Sequence, residues 1–151
     1  MIITVDELQK TTLYEEITDA ITRDDDTVIE MQIQAAQSLC ATYLFKYNLK
    51  PVFGDDTVEP AVAPTKKCPA LANIVKIIAC YFLLRQSNPN VAIELYKEDY
   101  NQAIKLLEDL RDGNNQLSEL DYAEDDPETP YDESKANGVS FSSNPKRQNF
   151  F

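Results

Sequence analysis

The chain contains no histidine and no tryptophan, only three glycines, and three cysteines. Without histidine there is no Ser-His-Asp or Cys-His dyad, no side chain that titrates near neutrality in its ordinary state, and none of the commonest zinc ligand. Gly54, Gly113 and Gly138 stand too far apart for a phosphate-cradling loop. The cysteines, Cys40, Cys68 and Cys80, are odd in number and form no Cys-x-x-Cys pair. Cys40 and Cys80 fall inside apolar helical patterns, so they are expected to be small buried hydrophobes in a reducing compartment. Basic residues are also scarce, 14 Lys and Arg against 26 Asp and Glu, for a net charge of −12. That balance argues against a sequence-independent grip on nucleic acid, which needs cations to displace condensed counterions. An enzyme would have to work from carboxylates alone, such as Asp24 with Asp26 or Asp55 with Asp56, and nothing in their spacing sets two of them across a cleft. The expectation is therefore no enzyme, no cofactor and no metal.

Hydrophobic residues make up 43% of the 151, enough for a core in one compact domain. Asp6 and Glu7 stand where a signal peptide would carry positive charge. The most apolar stretch, Leu71 to Leu84, is 14 residues long and holds Asn73 and Lys76, so it is expected as a buried helix and not as a membrane span.

Helical signals follow one another along the chain. Thr4-Val5-Asp6-Glu7 is a capping box that starts a short helix to about Lys10, and Thr12-Leu13-Tyr14-Glu15 repeats it for a second short helix through about Ile21. The run Asp24-Asp25-Asp26 could hold a cation, but no Gly-containing calcium loop with a distal Glu accompanies it. It is read as the acidic start of a helix from about Thr27 to Tyr47, whose stripe is Ile29, Ile33, Ala36, Cys40, Tyr43 or Leu44, and Tyr47. Residues 48–68, with Pro51, Pro60 and Pro64, are expected as a long loop in which Phe53, Val58 and Val62 are apolar anchors for a partner. Pro69 opens a helix that is apolar nearly all round and therefore central, ending near Ser87-Asn88-Pro89-Asn90. A third long helix, about Val91 to Arg111, carries the stripe Tyr96, Tyr100, Ala103, Leu107 and Leu110, with Gly113 placed for a left-handed C-cap.

From Ser118 onward eight acids face only Lys135, Lys146 and Arg147, and Pro127 and Pro130 exclude a continuous helix. Such a segment cannot bury enough apolar surface to order itself alone. It nevertheless ends in Val139, Phe141, Lys146, Arg147, Phe150 and Phe151. That ending suits an arm that orders on a partner by strand addition or by aromatic anchors. The predicted architecture is all-α: a helical bundle over residues 1–117, with two short N-terminal helices and three longer ones, followed by an extended acidic, Phe-ended arm over 118–151.

The order of these features resembles the small head–tail connector (adaptor) proteins of tailed phages and prophages, of the Mu-like branch. The resemblance rests on Ile3-Thr4-Val5-Asp6-Glu7-Leu8, on the acidic start and Ala-rich helix from Asp26 to Tyr47, and on Cys68-Pro69-Ala70-Leu71 leading to Leu84-Arg85. It rests also on Tyr100, Ala103, Leu107, Leu110 and Gly113, and on Lys146-Arg147-Gln148-Asn149-Phe150-Phe151. Each motif is a loose pattern; their order over nearly the whole chain carries the likeness. The 48–68 connection is longer and the acidic tail larger than the pattern requires. The resemblance implies a structural virion protein at the head–tail neck, made in the host bacterial cytoplasm and free of membrane. It implies a ring with copies of itself, typically of twelve, under the portal protein, and a docking surface for the next tail-side component, a stopper or tail-completion protein. DNA would pass through the channel without specific binding, and a net charge of −12 per subunit would repel phosphates there. The arm, with Val139, Phe141, Lys146, Arg147, Phe150 and Phe151, would clasp the portal or a neighbour. The rival from another class is an acidic mimic of DNA that inhibits a nucleic-acid enzyme; it would need regular carboxylates along an exposed surface.

Overall fold

A computed structural model describes residues 2–11, 21–23, 25–55, 58–86 and 93–123. Among these residues the fold is all-α, with helices α1 (Val5–Thr11), α2 (Asp26–Tyr43), α3 (Lys50–Phe53), α4 (Pro69–Gln86) and α5 (Ile93–Asp112). The second capping box, at Thr12 to Glu15, and the Ser87 to Asn90 breaker lie outside the described residues.

Local chemistry accounts for the helix starts. The Thr4 N–H donates to Glu7 Oε2 at 3.1 Å and the Glu7 N–H donates to Thr4 Oγ1 at 3.2 Å, the two reciprocal bonds of a capping box. At α2 the Asp25 carboxylate accepts from the Thr27 N–H at 3.0 Å and from the Thr27 hydroxyl at 2.6 Å. The acidic run is thus a cap where it is described, at Asp25. Pro69 begins α4, where its missing N–H leaves nothing unbonded.

The end of α5 is a Schellman turn. Gly113 has φ +82, its N–H donates to the Leu110 carbonyl at 3.4 Å, and the next N–H, of Asn114, reaches back to the Asp109 carbonyl at 2.9 Å.

The central member is α4, as its all-round apolarity predicts. It packs against both α2 and α5 and buries Leu71, Ile74, Val75, Ile78, Ala79, Cys80, Leu83 and Leu84. From α2 it meets Ile29, Ile33, Ala36 and Cys40, and from α5 Ala103, Leu107 and Leu110 close the other side. Tyr100 stacks on Tyr81 with ring centroids 4.3 Å apart, so it packs against the core as its place in the stripe implies. Ile3 and Leu8 bury the N-terminal segment on this core. All three cysteines are buried and free, and burial pushes the Cys40 and Cys80 thiols up to about 12.

Three sequence expectations change. The helix expected through Tyr47 stops at Tyr43, because Leu44 leaves helical geometry and the Tyr47 N–H closes a turn on the Leu44 carbonyl at 2.9 Å. Leu44 and Tyr47 are still buried, so the apolar stripe continues through a turn. The 48–68 connection is not structureless: it holds α3, and Asp55 and Val62 exchange both backbone hydrogen bonds at 2.9 Å. Finally, the chain does not leave the body at 118. Leu117 packs on the core, Leu120 is buried within it, and Tyr122 bridges Tyr47.

Candidate functional site

The end of the bundle that carries the last turns of α2 and α5, together with α3 and the start of α4, gathers the residues with distinctive chemistry. Two of the last carbonyls of α5 gain side-chain donors there from the residues that follow α2. The Lys46 ammonium donates to the Arg111 carbonyl at 3.1 Å and the Tyr47 hydroxyl to the Leu110 carbonyl at 3.3 Å. A cation at a helix C-terminus also complements the macrodipole.

The returning segment is tied to the same turn. The Asn48 N–H donates to the Asp121 carbonyl at 2.8 Å, and the Ala123 N–H donates to the Lys46 carbonyl at 2.9 Å. The Tyr47 and Tyr122 rings stack at 4.9 Å. Burial, and then the neighbouring Tyr122 hydroxyl, hold the Tyr47 pKa above its ordinary value. Asp121 forms an ion pair with Lys66 at 2.9 Å. These contacts fix the footing of the acidic tail at Ala123, six residues after the 117/118 divide that composition suggests.

Beside this footing the loop is closed by glycine chemistry. Gly54 has φ +82, and a Cβ there would stand 2.5 Å from the Val62 carbonyl oxygen. The Thr65 and Lys66 N–H groups both donate to the Pro51 carbonyl, at 2.8 and 2.9 Å, folding the loop back over α3. Of the three predicted loop anchors, Phe53 turns inward and packs against the core, while Val58 and Val62 remain 43% and 50% exposed. The structure thus separates them: one anchors the loop to its own body and two face outward. The predicted arm residues Val139, Phe141, Lys146, Arg147, Phe150 and Phe151 lie outside the described residues.

A cavity of about 600 Å³ opens between the N-terminal segment, the loop and the start of α4, and Lys66, Lys67 and Lys76 line it with Glu7. Lys66 is already paired with Asp121, so Lys67 and Lys76 are the further cations along this cavity, beside the Glu7 carboxylate. The proximity of Lys76 to Lys66 and Lys67 is not legible in the sequence, because it depends on the loop folding onto α4. The α3 signal, by contrast, stood in the sequence: Pro51 just inside the start and Gly54 just past the end follow the usual asymmetry of helix termini.

Among the described residues, no group of His, Cys, Asp or Glu could hold a metal ion, and no helix is long and apolar enough to cross a membrane. The outward face of α5 alternates in sign, with Glu94, Lys97, Glu98 and Lys105 around one shallow depression. Around that depression carboxylates and ammonium groups are interleaved.

Fold and site together define a small all-α protein with a bridged footing for a trailing acidic segment. Residues 3–136 match the model of the family described as Bacteriophage Mu, Gp36. The chain belongs to that family, and with it to the proteins of Mu-like phages. No curated protein and no solved structure gives a significant match.

Proposed function

We propose that the chain is a head–tail connector, a structural virion protein that forms a ring beneath the portal, extends the DNA channel and docks the next tail-side component. The observation that carries this is the family match over residues 3–136, which takes in the described body and the first part of the acidic tail as one unit. The physical features are consistent with the role. A ring needs a heterologous contact between different faces of the same bundle. The body holds the start of the tail at one end, with the Ala123 N–H on the Lys46 carbonyl. Acidic residues clustered near the footing would govern orientation and on-rate, and the Phe-rich end would hold, as buried aromatic anchors do at interfaces.

Electron microscopy of the purified chain mixed with its portal tests the proposal. The expected result is a ring of added density under the portal, lost when residues 139–151 are deleted while the helical circular dichroism of the body is unchanged. No added density and no co-purification with the portal would overturn it. Retention of normal portal binding by the truncated chain would overturn the role given to the arm.

A further inference from the structure

Asp121, at the root of the trailing segment, holds the 48–68 connection near both of its ends. Its carbonyl accepts from the Asn48 N–H at 2.8 Å, where the connection begins. Its carboxylate meets the Lys66 ammonium at 2.9 Å, where the connection closes, across 55 residues of sequence. Those two ends are themselves joined, because the Thr65 and Lys66 N–H groups both donate to the Pro51 carbonyl, at 2.8 and 2.9 Å. The contacts therefore form a closed circuit. It runs along the chain from Asn48 to Pro51, across to Lys66, along that side chain to Asp121, and back to Asn48. Past Asp121 the root continues as Tyr122, stacked on Tyr47 at 4.9 Å, and Ala123, whose N–H is on the Lys46 carbonyl.

Closure changes what this ion pair does. An exposed Lys–Asp pair ordinarily contributes little, because two mobile side chains must be ordered to make it. Here each partner's backbone is already fixed by another bond of the circuit, Asp121 by Asn48 and Lys66 by Pro51. Only side-chain rotors remain to be ordered. The Lys66 side chain is also half-shielded, at 37% exposure against 69% for Asp121. Bonds that share partners in this way are coupled, so the loss of one loosens the rest.

We infer that Asp121 is a positioning residue that makes the base of the 48–68 loop and the root of the trailing segment open and close as one unit. Salt is the agent that weakens the link, since its one charged contact is partly exposed. Such a unit is a locally cooperative piece of the fold, with an opening free energy of its own below that of global unfolding. The coupling is reciprocal: a restraint on the loop base steadies the root, and a restraint on the root steadies the loop base. The inference uses contacts within a single copy and stands apart from the connector reading.

Amide exchange of the full chain tests this, with the Thr65 and Lys66 amides reporting the loop base and the Ala123 amide the root. Asp121→Ala keeps the carbonyl that holds Asn48 and removes the carboxylate. It should speed exchange at all three amides about two- to fivefold at low salt. In the unaltered chain, raising salt from about 0.01 M to about 1 M should have the same effect, because the Debye length shrinks from about 30 Å to about 3 Å. In Asp121→Ala that salt response should vanish. The charge-exchanged pair, Lys66→Glu with Asp121→Lys, should bring back slow exchange and the salt response together. Tyr122→Ala perturbs the root only, and should speed Thr65 and Lys66 as well as Ala123. Unchanged exchange at Thr65 and Lys66 in Asp121→Ala or in Tyr122→Ala means that loop and root open separately, and overturns the inference. A charge-exchanged pair that exchanges as fast as Asp121→Ala overturns it too.

Discussion

Gly54 and Gly113 share a φ of +82 but have different surroundings, which makes them a matched pair. At Gly113 a Cβ meets nothing within 4 Å, so Gly113→Ala pays only for left-handed backbone, roughly 1–2 kcal/mol. Gly54 has ψ −178, in a region that is essentially glycine's own, at a cost of about 1–3 kcal/mol for any other residue. Its Cβ would also press on the Val62 carbonyl oxygen at 2.5 Å and on Pro64 at 3.2 Å. To relieve that, the Asp55–Val62 pair must open, forfeiting two backbone hydrogen bonds of about 1 kcal/mol each. Gly54→Ala is therefore expected to cost about 2 kcal/mol more than Gly113→Ala. For a body of this size that separates the two melting temperatures by roughly 5 °C or more. Urea unfolding of both variants gives the difference, and amide exchange at Asp55 and Val62 shows whether the loop is what opens. Equal stabilities, or protected Asp55 and Val62 amides in Gly54→Ala, would refute the steric argument.

Three further outcomes are expected. Tyr47→Phe removes the bond to the Leu110 carbonyl but keeps the ring on Tyr122, and should cost about 1 kcal/mol. Tyr122→Ala loses the stack instead and should speed limited proteolysis near residue 123 while melting of the body stays nearly unchanged. Stability should also fall with pH in the alkaline range. The Cys40 and Cys80 thiols titrate near 9 when unfolded and about 12 when folded, so between those values the unfolded chain has released protons that the folded chain retains. Their contribution is complete below about pH 9 and declines up to about pH 12, on the order of 1 kcal/mol per pH unit for each thiol. Cys40→Ala with Cys80→Ala should flatten that slope in denaturation curves taken from pH 8 to 11, and an unchanged slope would count against it.

The three long helices were legible because their signals are local: a cap at Asp25, Pro69 at a first turn, Gly113 past a last one. Helix α4 announced its central place by lacking a polar face. What sequence did not give was the lower end of the molecule, and the reason is separation along the chain. Tyr47 meets Leu110 across 63 residues and Lys66 meets Asp121 across 55. Periodicity therefore ran the first long helix on to Tyr47, although that residue's role is to leave the helix and hold the returning chain. Composition likewise began the tail at Ser118 because acids predominate there. Leu117 and Leu120, two leucines within that acidic context, were the signal that the body had not yet ended.

The Arg111 and Leu110 carbonyls at the end of the last helix take side-chain donors from Lys46 and Tyr47, residues made long before it. A nascent chain cannot complete this joint until α2 and α5 have both docked on α4. The anchorage at Ala123 therefore depends on that docking.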